Sequence, residues 1–202
     1  FSSFIRNSRS INSYVLQDVT KDYVISIPEM KFENLANNIK QYISWGAKQK
    51  TRKRQKTNAG IPWNQTASVK TRKYWYSIPK QNLDETNVFL QYVSGDRFYA
   101  VYSKQPMTSD RAFHRIFPKN ENHSLGLFLS LNSSIVMLNA FVLGRQNLGG
   151  GALKLETSDA KRLLIPDPQL FDKASIENII PEMSQYKPAD VFTELGIDIS
   201  KE

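Results

Sequence analysis

Cysteine is absent from the 202 residues, and histidine occurs only as His114 and His123. Disulfides and thiolate zinc sites are thereby excluded, and a histidine-rich metal centre has no ligand set to draw on. No charged-then-apolar leader is present, and the sequence opens on Phe1 without Met. We expect a piece of a longer polypeptide, working in a reducing, cytoplasmic setting. A clean apolar run of spanning length is also missing. The uncharged stretch from Asn122 to Gly144 comes near it, but Ser124, Ser130, Asn132, Ser133, Ser134 and Asn139 interrupt it. Asn132-Ser133-Ser134 is a cap signal that splits this stretch into two helical pieces. Its expected place is a buried core helix, and no membrane partner is expected.

Acid is missing in one place. Between Glu33 and Asp84 there is no Asp or Glu, yet eleven Lys and Arg fall there. The chain has 27 basic and 19 acidic residues, so the remainder holds 16 and 19, and the formal charge of +8 belongs to this segment. A local field of that kind fits a polyanion, because each phosphate neutralised releases condensed counterions. The ordinary alternative for a charge run is a solvated face. Tyr42, Trp45, Trp63, Tyr74, Trp75 and Tyr76 are woven through it, either to stack on bases or to anchor a loop to the core.

The rest of the composition, 40% apolar and 11% aromatic, is that of a globular chain long enough for a sizeable core. Asp22–Pro28 reads as a short strand stopped by proline. Lys31–Trp45 carries an apolar stripe at helical spacing that ends at Gly46. A broken loop follows through Asn58–Pro62, then a strand over Lys73–Ile78. Asn87–Val93 and Arg97–Tyr102 form a hairpin about Ser94-Gly95-Asp96, and Ala112–Phe117 is a further strand. After the uncharged helices come the glycines Gly149–Gly151, an extended Ala152–Glu156 and a short helix over Ala160–Leu163 capped by Thr157-Ser158-Asp159. Amphipathic segments at Gln169–Ile180 and Ala189–Leu195 finish the chain. Strands and helices mix without strict alternation, which predicts an α+β fold around a mixed sheet. We expect residues 1–168 to form one domain and 169–202 a C-terminal helical extension.

Lys48, Lys50, Arg52, Lys53, Arg54 and Lys56 are the first candidate contacts, with Lys70 and Lys73 beyond them. At that density most cations meet phosphates, which set register without reading sequence. Arg52, Arg54 and Arg72 are the candidates for two-pronged reading of guanine; for Arg72 the alternative is an ion pair that fixes the Trp75 strand. Trp63, after Pro62, is the aromatic that periodicity explains least and is a wedge or stacking candidate. Arg111 and His114 follow Ser109-Asp110, where a capped turn is the competing explanation. Arg145 and Lys154 flank the glycine turn, within reach of a backbone phosphate.

Three stretches carry a resemblance. Leu143-Gly144-Arg145-Gln146-Asn147-Leu148-Gly149-Gly150-Gly151-Ala152-Leu153-Lys154-Leu155-Glu156, running on to Pro166, resembles the closing motif of target-recognition domains in N6-adenine DNA methyltransferases. These modules lie C-terminal to the catalytic domain in TaqI-like enzymes and in fused type II restriction-modification proteins. Lys70-Thr71-Arg72-Lys73-Tyr74-Trp75-Tyr76 is similar to the family's Arg-Lys-x-Trp-Tyr element, and Ser109-Asp110-Arg111-Ala112-Phe113 to its Ser-Asp-Arg-Phe element. Leu164 stands where the family commonly has Leu-Pro. The matches span roughly Asp22 to Pro168.

The resemblance implies a domain that grips double-stranded DNA and reads a short target while a catalytic domain of the same longer chain methylates adenine. No Asn-Pro-Pro-Tyr or Asp-Pro-Pro-Tyr occurs in the 202 residues. Catalysis, cofactor and metal are therefore not expected in this fragment, and S-adenosylmethionine is expected on the catalytic domain. Three other readings stay open. Asp18 with Glu29-Met30-Lys31 has the spacing of a metal-dependent nuclease, although Glu29 also suits a helix start. The basic-aromatic loop would serve an RNA or single-strand binder, or an acidic protein partner.

Overall fold

Ten residues from Ala100 to Ser109 form the strand on which most of the sheet is built. In chain order the strands are β1 (Ser2–Ile5), β2 (Val15–Leu16), β3 (Tyr23–Val24), β4 (Thr86–Gln91), β5 (Val93–Ser94), β6 (Ala100–Ser109), β7 (Phe113–Ile116) and β8 (Leu153–Lys154). The α-helices are α1 (Asn37–Lys48), α2 (Ser124–Leu131), α3 (Ser134–Leu143), α4 (Thr157–Ala160) and α5 (Lys173–Met183). The computed structural model describes residues 2–8, 11–17, 22–51, 60–78, 83–95, 98–146 and 152–186. The six-stranded sheet runs β3-β1-β6-β4-β7, with β2 also on β6, and β5 pairs with β8 separately. Strands β1 and β2 lie parallel to β6, whereas β4 is antiparallel to both β6 and β7. The sheet is mixed and the class is α+β, as expected.

Two compact units divide the chain. One is Ile25–Asp84 and the other combines Ser2–Val24 with the chain from Glu85 on. The larger unit holds a core of Val88, Phe89, Leu90, Ala100, Val101, Met107, Phe128, Val136, Leu153 and Leu155 among others, with Ile176, Ile180 and Met183 of α5 packed on it. Strand β6 divides in the middle: Lys104, Gln105 and Pro106 are exposed, and the halves on either side take different partners. Tyr102 and Ser103 meet β2, and Thr108 and Ser109 meet β1. Pro106 has no N–H to offer a ladder, so a change of partner there leaves no donor stranded.

The hairpin from β4 to β6 is present, with Leu90 opposite Ala100. Between them β5 turns away to pair with β8, Ser94 opposite Leu153. The uncharged stretch breaks at Asn132-Ser133, and the Ser133 side chain accepts from Val136 N as the N-cap of α3. Asn132 also fastens this break to the sheet. Its Oδ1 accepts from Ala100 N at 3.0 Å, and its Nδ2 donates to Ala100 O at 3.2 Å and to Phe128 O at 3.0 Å. One amide thus plays the part of a neighbouring strand where β6 begins.

Several local expectations change. Helix α1 does not begin at Lys31; a 3-10 turn at Phe32–Asn34 precedes it, and it runs through Gly46 to Lys48. Gly46 is a packing residue: a Cβ there would stand 3.1 Å from Trp75 Cη2. Lys73–Ile78 is a series of turns rather than a strand, because Ser77 N and Oγ both turn back onto Tyr74 O. Strand structure near Asp22 covers only Tyr23–Val24, and the short helix starts at Thr157, with Glu156 as its N-cap. Helix α2 is buried along nearly its whole length, but α3 buries only Val136 and Ala140. The expectation of a buried helix therefore holds for the first piece only. These two pieces are bent by 72°, and no single helix among the described residues is long and apolar enough to cross a membrane.

Candidate nucleic-acid interface

The unit Ile25–Asp84 is small and built on few buried side chains. Ile27, Leu35 and Ile43 are its buried core, and Ile25, Ile39, Trp75 and Tyr76 pack against them. The two aromatics do not alternate inward and outward, as a strand would require; both lie on the same cluster. Trp75 meets Tyr76 edge-on at 6.1 Å, and Tyr76 Oη donates to Met30 O at 2.8 Å. Burial, followed by the neighbouring Tyr74 and Glu33, raises the Tyr76 pKa above its ordinary value.

Charge follows this division. Ile25–Asp84 contains 12 Lys and Arg against Glu29, Glu33 and Asp84, a formal +9, which leaves the rest of the chain at −1. The cations are carried on a stem at the end of α1. Lys48 is the last helical residue, where a cation suits the carbonyl end of the dipole. Gln49 N then donates to Gly46 O at 3.0 Å, and Trp63 N to Gln49 O at 3.0 Å. Lys50 pairs antiparallel with Pro62. Thr51 closes the stem: its N donates to Ile61 O at 2.8 Å, its O accepts from Gly60 N at 3.1 Å, and its Oγ1 accepts from Ile61 N at 3.1 Å. Gly60 turns with φ 77°, a backbone state that favours glycine. The segment strung between the stem ends bears Arg52, Lys53, Arg54 and Lys56, and these four lie outside the described residues.

Beside the stem stands an aromatic group that only partly figured among the sequence candidates. Trp63 opens a 3-10 turn and meets Trp45 edge-on at 5.6 Å, while Tyr42 stacks on Trp45 at 5.7 Å. All three rings are exposed. Their signal in the sequence is the i, i+3 spacing of Tyr42 and Trp45 on the exposed flank of α1 next to the buried Ile43 and Gly46. Lys48 and Lys50 are exposed near them in the chain.

Three more cations of this unit, Lys70, Arg72 and Lys73, sit on successive turns after Trp63. Lys70 and Lys73 are exposed, and Lys73 Nζ lies 5.6 Å from the Tyr74 ring centre. Arg72 is half-buried and donates from Nη1 to Ser77 O at 2.9 Å. It closes the turn by a hydrogen bond to a backbone carbonyl.

Arg111, Arg145 and Lys154 belong to the larger unit. Arg111 is exposed on the turn between β6 and β7, where Asp110 Oδ1 accepts from Ala112 N at 2.8 Å. His114 is engaged in structure, its Nε2 2.8 Å from Leu155 O and its ring edge-on to Tyr92 at 5.2 Å. Arg145 and Lys154 exchange both backbone hydrogen bonds, at 2.8 and 2.9 Å, on either side of the glycine-bearing stretch of sequence. Gly149, Gly150 and Gly151 lie outside the described residues. Lys154 Nζ is 2.6 Å from Glu156 Oε1, and Tyr92 Oη donates to Glu156 Oε2 at 2.7 Å. The hydrogen bond to Glu156 raises the Lys154 pKa, and the same bond lowers that of Glu156. Arg145 is exposed, whereas the Lys154 charge is matched locally.

For the nuclease arrangement, Asp18 lies outside the described residues, and Glu29 and Lys31 are exposed. Among the described residues no group of three or more His, Asp or Glu is placed to hold a metal ion.

Nothing among the curated proteins or the solved structures matches this sequence. Residues 5–196, nearly the whole chain, match the family described as Type II methyltransferase M.Eco57I, C-terminal domain. The chain belongs to the family of that methyltransferase C-terminal domain.

Proposed function

We propose that this chain is the target-recognition module of an adenine-specific DNA methyltransferase or fused restriction-modification enzyme, and that it binds duplex DNA sequence-specifically. One observation carries the reading. The net positive charge of the molecule falls within a single compact unit, Ile25–Asp84, and its densest run of cations lies in the sequence between the stem residues Thr51 and Ile61. Phosphate contacts from Lys48, Lys50, Arg52, Lys53, Arg54, Lys56, Lys70 and Lys73 supply affinity, and base reading falls to arginines of the loop. S-adenosylmethionine and methyl transfer belong to the catalytic part of the polypeptide, since these residues carry no Asn-Pro-Pro-Tyr-type motif.

Binding measured against salt tests this. Arg52, Lys53 and Arg54 changed together to Ala should flatten the log–log salt dependence by up to about 2.7, roughly 0.9 for each phosphate contact removed. An unchanged slope moves the binding face elsewhere. The exposed group of Tyr42, Trp45 and Trp63 favours a second reading, single-stranded DNA or RNA held by stacking. Tighter binding of single strands than of duplex at matched salt would select it.

A further inference from the structure

Helix α3 has no charged residue and is apolar on nearly every side, yet only Val136 and Ala140 are buried. Ile135, Leu138 and Val142, at helical spacing along one face, are 63%, 67% and 75% exposed, and Phe141 borders them. The face extends beyond the helix. Asn139 Oδ1 accepts from Leu164 N at 3.0 Å, which brings the segment after α4 onto α3 with Leu164 70% exposed and Ile165 beside it. These six side chains leave roughly 600 Å² of apolar surface in water, at or above the largest patch of an ordinary monomer.

We propose that this face is the seat of the methyltransferase portion of the same polypeptide, which meets it with an uncharged, apolar surface. The proposal rests on the reading above, in which catalysis comes from outside these residues. On α3 DNA is the wrong occupant, because no Lys or Arg occurs from Asn120 to Gly144 to meet a phosphate; the exposed Lys161 and Arg162 border the face only at its Leu164 edge. A second copy of the chain is disfavoured by area: a stable association between free molecules needs about 800 Å² from each partner. Domains joined in one chain hold together with less, since interfaces between them begin at about 600 Å² in total. The tether raises the effective concentration to the millimolar range. The family to which the chain belongs is a methyltransferase's C-terminal domain, so a tethered partner is what its members have at hand.

Thiol labelling of the whole methyltransferase polypeptide tests the assignment, with each label located by peptide mass. This domain has no cysteine of its own, so Leu138→Cys and Ile135→Cys report on the face, and Lys119→Cys, at an exposed lysine, is the reference. Both face positions should react at least about tenfold more slowly than the reference, the signature of a surface that must open to be reached. Equal rates overturn the proposal. Protection that disappears on dilution, together with a dimer in sedimentation, also overturns it, because the occupant is then a second copy. Leu138→Lys with Val142→Lys should lower kcat for methylation about tenfold or more through misplacement of the DNA, with duplex affinity changed less than about twofold. Unaltered kcat counts against the proposal. Failure of the unsubstituted polypeptide to bind duplex would instead remove the DNA-reading function, whatever the labelling shows.

Discussion

Replacing Gly46 by Leu tests whether the cation-bearing unit is held together as described. Gly46 is buried in α1, and a Cβ would stand 3.1 Å from Trp75 Cη2 and 3.9 Å from Trp63 Cε3. Alanine requires Trp75 to yield by only a few tenths of an ångström, and its ring is half-buried and able to do so. Helix propensity meanwhile improves by about 1 kcal/mol, so Gly46→Ala should be close to neutral. Leucine adds three more carbons where the indole now lies. Overpacking costs about 1–3 kcal/mol, and driving Trp75 from Ile27, Leu35 and Ile43 forfeits part of the roughly 3–5 kcal/mol that full removal of such a ring costs. After the gain in propensity we expect a net loss of about 2 kcal/mol. For a unit of 60 residues that lowers the midpoint by roughly 8–16 °C. The assay is selective, because Trp45, Trp63 and Trp75 are the chain's three tryptophans and all lie in this unit. Intrinsic fluorescence should show the early transition. A leucine variant as stable as the alanine one would refute the packing of Trp75 over Gly46.

Two further changes probe the larger unit. Asn132→Ala leaves the N–H and C=O of the buried Ala100 without their side-chain partner. We expect a loss of about 2–6 kcal/mol, at about 1–3 for each of the two unsatisfied groups, seen as a lower midpoint in far-ultraviolet circular dichroism. Asp172 caps α5, and the hydrogen bond from Ser175 N holds its pKa below the ordinary 3.8. A lowered carboxylate pKa contributes stability that is complete above the unfolded value and is lost as pH falls through the folded one. Asp172→Ala should therefore be less stable than the parent at pH 7, and the difference should close below about pH 3.8. A gap constant from pH 7 to pH 2 would contradict the cap.

The larger unit was the more legible in sequence. The hairpin about Ser94-Gly95, the strand at Phe113 and the helix break at Asn132-Ser133 all rest on local chemistry: glycine in a turn, alternation, a hydroxyl cap. What escaped is non-local. Strand β2 is two residues long and exists only because β6 lies beside it, and β5 leaves its hairpin for a partner more than fifty residues away. In the cationic unit the errors share one cause. Gly46 reads as a helix stop because a glycine's local signal is entropic, whereas here its missing side chain makes room for Trp75. Tyr74, Trp75 and Tyr76 read as a strand because aromatics favour one, yet Arg72 and Ser77 fold them into turns. The candidate cations were visible as a count. Which of them is free and which is tied down was not: Lys154 to Glu156 and Arg72 to Ser77 depend on geometry at the scale of a hydrogen bond.

The same charge that marks the unit Ile25–Asp84 also works against it. A unit of this size buries a modest share of its surface, and among the described residues its core has three buried hydrophobic side chains supported by a few aromatics. It nevertheless carries a formal +9, whose self-repulsion favours expansion. Screening relieves that repulsion, since the Debye length falls from about 10 Å at 0.1 M salt to about 3 Å at 1 M. Tryptophan fluorescence should therefore melt at a higher temperature as sodium chloride is raised, while the larger unit, formally −1, should respond little. A bound polyanion should do the same at low salt, adding about 2.7 kcal/mol at a hundredfold excess over Kd. The two effects must compete: at high salt DNA no longer binds, and its stabilisation should vanish there. If DNA raised the midpoint equally at both salt concentrations, or if salt left the tryptophan transition unmoved, the cations would not be acting as one field, and their crowding into this unit would have no part in holding DNA.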